Sequence, residues 1–579
     1  MSIAAESLHQ NTSTTGGLSF TISWHKSAPR AIREASRAGR ESAVWKAWRR
    51  HLDAKKCTIQ DTLPWSGENV GPASAAKESL EMWLRDAAGG KFTYDDALSV
   101  LAWCRRLPGL ADTLPADDWW TLLNHLILVA TEAGAISAVE GCSGGDVLVR
   151  QLLAGELSLT LACLFPEIKQ CRKLLPVGRR VLSGGLADLL DGVGLLHANY
   201  FDQLQPLLAC WTRCRELGDR LKRGCWNSKA ESQYRELVRN ALRLSRRDGS
   251  MVFSEPSTDL AGIELLAAAV ELVGKKKDRM LAAQLLNKGK EKLPSRRAEL
   301  PEASVHSEWA AAAQMRPDWS RSSPRLTVLY PNTSCRIELN NGKDVLGSGE
   351  WVLDLKIDGQ PAVPTSEWSE ICWVSDKDVD YLELEIALGE GLRVQRHFLL
   401  ARKDRILLLA DAVLASRPAK LEYRGTLPLC ADVTFHEACE TRQGVIGGPQ
   451  SHTTVLPLAF PERLPSRADG RLSSTGRMLE LQQSAEGQSL FAPMFFDLDQ
   501  HRQNKPVTWR QLTVAEIWAK QPNDVAVGYR VAIGRRQWLV YRSLARLGNR
   551  SLLGHNISSE MLVARFHRDG EVEALIEIE

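Results

Sequence analysis

Nucleotide loops, metalloprotease signatures and paired cysteines are all missing from this sequence. There is no P-loop, no G-x-G-x-x-G and no H-E-x-x-H, so phosphate-cradling turns and helical zinc-protease sites are not expected. The 12 cysteines are scattered without a C-x-x-C pair, which argues against a zinc site or a disulfide framework and for reduced core thiols, as at Cys104, Cys163 and Cys210. No apolar run approaches the length of a membrane span, so no spanning segment is expected. The first residues, MSIAAESLHQNTSTTGG, lack a basic stretch followed by an apolar one, and a cytoplasmic location is the expectation. Charge of one sign is also lacking: the net value of +3 over 579 residues argues neither for nor against nucleic acid, and nucleic acid is not among the expected partners.

What is present falls into two patterns. Tyr381 to Ala415 reads as a β-meander, with Leu382, Leu384, Ile386 and Leu388 alternating with Glu383 and Glu385. Gly389 and Gly391 mark the first reversal, and Arg402 to Arg405 the second. The run Ile406 to Leu409 is apolar without alternation, which predicts burial on both faces. Such a meander needs a second layer to cover it. Asn341-Gly342, Asp358-Gly359, Gly534-Arg535 and Asp569-Gly570 are further hairpin signals, while the polar stretch Pro461 to Gln488 reads as a long loop.

Before about residue 320 the period is helical. Ala28 to Leu52 reads as a helix, and Thr93 with Asp96 forms a capping box before ALSVLAWCRRL, ended by Pro108-Gly109. Pro115 precedes a helix closed by Gly134, and GDVLVRQLLAGELSLTLACLF reads as another. Ser228 with Glu231 caps QYRELVRNALRLSRR, and a turn at Asp248-Gly249 should close it. Asp259 opens a helix ending at Gly274, with Lys275 to Lys277 behind it. About ten helices joined by short loops imply stacked helical hairpins. The expected organisation is a flexible N-terminus (1–27), a helical domain (28–300), a junction (301–320) and an antiparallel β domain (321–579).

Three short segments carry a family resemblance. RLSRRDGSMVFSE contains Asp248, Gly249 and Ser250 after an Arg-rich helix end. The stretch from Leu189 through HANYFDQLQPLLACW follows Asp191-Gly192, and SEWAAAAQMRPDWS contains Met315, Arg316, Asp318 and Trp319. In these the chain resembles the heparinase II/III-like proteins. The resemblance implies an (α/α) toroid followed by an antiparallel β-sandwich, and an acidic polysaccharide or oligosaccharide as partner. It also implies β-elimination beside a uronate carboxylate, commonly by Tyr and His. One departure concerns the sandwich: the family's H-x-H-x-D motif has no counterpart in NTSCRIELNNGKDVL, and near the later metal segment only His436 is found. No metal and no cofactor are therefore expected.

His197 and Tyr200, about one helical turn apart, are the expected catalytic pair. Asn124 and His125, Trp119 and Trp120, and Arg213 are the expected substrate-binding residues, with Arg213 as a cation to activate Tyr200. Hydrogen-bonded core histidines at 125 and 197, and helix packing for at least one tryptophan, are the plainer readings of the same residues. Two functions stand: a lyase acting on acidic glycan, and an inactive glycan-binding or scaffolding protein that keeps the architecture.

Overall fold

The computed structural model describes residues 22–55, 92–136, 144–255, 261–286, 300–389 and 391–579. The chain divides into two compact units, Met1–Met251 with Pro256–Leu300 and Val252–Glu255 with Pro301–Glu579.

The helical unit is built around one apolar segment. Gly144–Arg150 and Ser158–Leu164 are α-helical, and the intervening Gln151–Leu157 is a π-helix whose residues are all buried. Val147–Leu164 is long and apolar enough to cross a membrane, contrary to expectation, but 83% of it is buried within the protein. Lys169–Leu189 crosses this segment closely because Gly178 has no side chain: a Cβ there would lie 2.9 Å from the Gly155 carbonyl oxygen.

Local signals set several helix boundaries. Thr93 and Asp96 form the capping box that starts Tyr94–Arg106. Asn227, one residue earlier than expected, caps Ser228–Leu244 by accepting from the Ala230 N–H; Glu231 is instead held by Arg215 and the Trp226 indole. The predicted helix over 28–52 is two, Arg30–Arg37 and Glu41–Lys55, separated at Gly39. Ala116–Ile136 runs through Gly134, and Lys276–Leu286 begins within the lysine run, which starts a helix rather than only trailing one. The Asp259 helix start, the Lys288 boundary stretch and residues 1–21 lie outside the described residues. Residues 22–27 are fixed rather than loose: Trp24 bridges Ile168, and the His25 amide donates to the Glu167 carbonyl.

Asp248-Gly249 forms the expected turn. Gly249 has φ +84°, and the Gly249 N–H donates to the Arg246 carbonyl. A Cβ at Gly249 would also fall 2.4 Å from the backbone nitrogen of Ile263, so φ and space both require glycine.

The β unit stacks antiparallel sheets. Its centre is an eleven-stranded sheet that includes Val379–Ala387, Leu392–Ala401, Ile406–Pro428 and Met478–Asp497. One face, carrying Leu382, Leu384, Phe398 and Leu407, packs with Val328, Ile337 and Leu339 of a five-stranded sheet. The other, carrying Tyr381, Leu399 and Leu408, packs with Val531, Trp538, Val540 and Val563 of a second five-stranded sheet. The central part of the meander is therefore covered on both faces, where the alternation predicted a solvated face for Glu383. That residue is buried because Tyr381, His397 and Arg542 gather around its carboxylate.

Asp358-Gly359 and Gly534-Arg535 are two-residue hairpin loops as expected. At Asn341-Gly342 the loop falls one residue later, since Asn341 pairs with Asp344. Pro461 to Gln488 is no long loop: Gly470–Thr475 pairs with Met478–Asp497, burying Leu472, Leu479 and Leu481 beneath polar neighbours. The 301–320 junction itself contains two strands, Val305–Ser307 and Ala312–Met315.

Candidate active site

His197 and Tyr200 come together on a braced turn. After Lys169–Leu189 the chain reverses at Asp191, whose Oδ1 accepts from the Val193 and Leu195 amides at 2.9 and 2.7 Å. The glycine that this reversal requires is Gly194, at φ +79°, rather than Gly192. The His197 amide then donates to the Leu189 carbonyl, and His197 caps a 3-10 turn, Ala198–Gln203, which leads into the helix Leu204–Gly218. The expected single helix is thus a 3-10 turn feeding an α-helix. His197 Nδ1 accepts from the Asn199 amide at 3.2 Å, which leaves the proton of the neutral ring on Nε2. The rings of His197 and Tyr200 meet edge to face, with centroids 6.2 Å apart, and both residues are half-buried. Burial lowers the His197 pKa, favouring the neutral imidazole.

Asn124 and His125 lie on Ala116–Ile136. Asn124 Oδ1 is buried without a hydrogen-bond partner among the described residues, and burial lowers the His125 pKa. Trp119 is a core residue, not a sugar platform. It is fully buried, its indole donates to the Leu107 carbonyl at 2.8 Å, and it packs with Trp45, Trp48, Trp120 and Phe165. Trp120 is half-buried and shares that aromatic nest.

Arg213 also belongs to the core. Its Nε and Nη2 bind the two oxygens of Glu156 at 2.8 and 2.9 Å, and Arg105 reaches the same carboxylate at 3.1 Å. The expected activator of Tyr200 is thus held on both oxygens of a buried carboxylate. Glu156, Cys210 and Cys214 bring three ligand-type atoms within 4.8 Å of one another. The fit to a metal is poor, since two guanidiniums already occupy Glu156 and both thiols have pKa values raised by burial. A cavity of about 360 Å³ in the same unit is walled by Trp226, Arg215, Asp219 and Glu231, and the arginine pairs with both carboxylates.

In the β unit two histidine clusters escaped the sequence reading. Tyr381 OH contacts His397 Nδ1 at 2.9 Å and donates to Glu383 at 2.7 Å, in full burial. Burial pushes the His397 pKa well down and the Glu383 pKa up, against the pull of Arg542 on the carboxylate. The other cluster is partly exposed. His306 Nε2 lies 2.6 Å from Glu370, Tyr330 OH donates to the same oxygen at 2.7 Å, and the imidazole stacks on Trp373. His306 stands one residue before the quoted SEWAAAAQM segment, and only folding brings it to Glu370, 64 positions on.

Burial raises the Glu370 carboxyl, but the hydrogen bonds from His306 and Tyr330 outweigh this and hold it below the ordinary glutamate value. Its contribution to stability is therefore complete above the unfolded value of about 4.3 and is lost as pH falls through the folded one. The stability gap between the natural chain and Glu370→Gln, measured by urea unfolding, should shrink as pH drops from about 5 to about 3.

No family model and no curated protein matches this sequence. Solved structures do match. Heparinase III, in a form with methylated lysines, superposes with a TM-score of 0.56 at 10% identity, covering 89% of this chain and 82% of its own. Heparan sulfate lyase HepC from Pedobacter heparinus gives 0.55 at 12% identity, covering 91% and 99%. The fold is that of the heparinase II/III-like lyases. In the terms of that fold, the helical unit is the toroid of helical hairpins and the β unit the antiparallel sandwich. The three resembling segments serve as structural joints. Asp248 Oδ1 holds the Ser250 amide and hydroxyl, Asp191 braces its reversal, and Arg316 lies over the Trp319 ring at 4.7 Å while its Nε donates to the Asp318 carbonyl.

Proposed function

We propose that the protein is a heparinase II/III-like lyase that cleaves an acidic polysaccharide or oligosaccharide by β-elimination, with His197 and Tyr200 as its catalytic pair. The observation that carries this reading is their edge-to-face pairing on the Asp191-braced turn of a heparinase-type toroid. In such a reaction Tyr200, as phenolate, removes the proton beside the uronate carboxylate. The C–O bond to the leaving sugar breaks, a C=C bond forms, and the departing oxygen takes up a proton. The neutral His197, with its proton on Nε2, is suited to donating a hydrogen bond to the carboxylate where charge accumulates. Asn124, with its unpartnered oxygen, and the half-buried Trp120 are proposed to line the sugar site.

A second reading, a non-catalytic glycan-binding scaffold, is favoured by one observation: Arg213, the cation expected to activate Tyr200, forms a two-point ion pair with the buried Glu156. Ultraviolet absorbance of unsaturated uronate across a panel of acidic polysaccharides separates the two. Tyr200→Phe should lower product formation by at least about 100-fold while leaving glycan binding and thermal stability intact. Glycan binding with no product from the natural chain would establish the scaffold, and product formation untouched by the substitution would move the chemistry elsewhere.

A further inference from the structure

A hairpin in the β unit gives up a well-made turn in order to display apolar side chains. Val514–Glu516 pairs with Ala519–Lys520, and the ladder ends at Glu516 and Ala519, leaving Ile517 and Trp518 as a two-residue loop. Both have positive φ, 48° and 66°. This is the backbone that Asn-Gly or Asp-Gly adopts without strain, and a β-branched residue is among the worst choices for it. The same unit uses Asp358-Gly359 at an equivalent loop, with φ of 50° and 83°.

What the unfavourable pair provides is exposure: Ile517 is 88% exposed and Trp518 101%. Leu547, also exposed, joins them at this end, because Arg550 Nε binds Glu516 at 3.2 Å and Gly548 lies against the same carboxylate. Glu516 is thereby neutralised. Two exposed residues beside these apolar side chains in sequence are cations, Lys520 two positions after Trp518 and Arg546 next to Leu547.

We infer that this tip is a peripheral anchor that inserts Ile517 and Trp518 into the headgroup region of an anionic phospholipid bilayer. Tryptophan favours that region, aliphatic neighbours bury into the acyl boundary, and flanking cations are drawn to acidic lipids. A sugar would find a ring but aliphatic neighbours where hydroxyls need partners. A second copy would need far more area than three side chains supply, since stable interfaces bury about 800 Å² per partner. A single small anchor gives weak, reversible adsorption.

The test is cosedimentation of the full chain with vesicles of phosphatidylserine and phosphatidylcholine in equal parts, and with phosphatidylcholine alone. Binding is expected to the first, to weaken in high salt and to be slight on the second. The double variant Ile517→Asn/Trp518→Gly installs the favoured turn, so it should fold at least as well by thermal unfolding. It should lose at least about tenfold of the vesicle binding. Absence of binding to the acidic vesicles, binding unchanged in the double variant, or a concentration-dependent dimer abolished by that variant would each overturn the inference.

Discussion

Replacing Glu156 with alanine is expected to lower the stability of the helical unit by about 3–5 kcal/mol. The carboxylate is completely buried on the π-helical segment and is the anion for Arg213 and Arg105, both also buried. Burial alone would depress the Arg213 pKa, and Glu156 reverses that, so the guanidinium stays charged. Removing the carboxylate takes their shared anion from two buried cations, and the cost comes chiefly from those desolvated charges. Urea unfolding followed by helical circular dichroism measures it. A control separates charge from packing: replacing Glu156, Arg105 and Arg213 together by methionine should cost much less than Glu156→Ala alone. A loss below about 1 kcal/mol for the single variant would mean that water reaches the pair.

The sandwich should respond as strongly to Asp411→Ala, with a loss of about 3–5 kcal/mol. Arg396 and Asp411 are both fully buried on neighbouring strands and bind through two parallel hydrogen bonds of 2.8 and 2.9 Å. Tyr423 donates to the same carboxylate, Arg396 Nη1 donates to the Trp351 carbonyl, and the guanidinium lies over the Trp351 ring at 4.0 Å. The alanine variant leaves a planar cation and a phenol without their acceptor. Asp411→Asn keeps the shape and one acceptor and should lose less. Arg396→Lys should be nearly as damaging as the alanine, because an ammonium reproduces neither the fork nor the stacking. Calorimetry should show the β-unit transition shifting while helical circular dichroism is little changed.

Much of the fold was legible because it rests on local rules. Thr93 and Asp96 announced a helix start, Asp248-Gly249 a turn and Asp358-Gly359 a hairpin, each within a few residues of sequence. The errors arose where burial is decided by distant chain. Glu383 alternates with leucines like a solvated residue, yet a second sheet covers it and Arg542 offsets its charge. Gly470–Thr475 looked like loop because its apolar positions are few, and only pairing with Met478–Asp497 makes them a strand. The site was half legible. Tyr200 lies three positions after His197, so any helical turn places them together. Arg213 depends on Glu156, 57 positions away, and His306 on Glu370, and no local pattern reveals either pair.

The strand Ile406–Pro428 also governs the order in which the sandwich can assemble. On one side it meets Leu392–Ala401, its neighbour in sequence, beginning at the Ala401–Ile406 pair. On the other it meets Met478–Asp497, whose pairing runs from Pro428 with Met478 to Ile406 with Asp497. These partners are about 50 to 90 positions apart, so their contact must await closure of a long loop, whereas the meander can form at once. Until the residues up to 497 have left the ribosome, the Ile406–Leu414 part of that second edge stands open, with unpaired backbone groups beside the run Ile406 to Leu409. That interval, rather than the finished fold, is when this chain is most exposed to association with its own nascent copies.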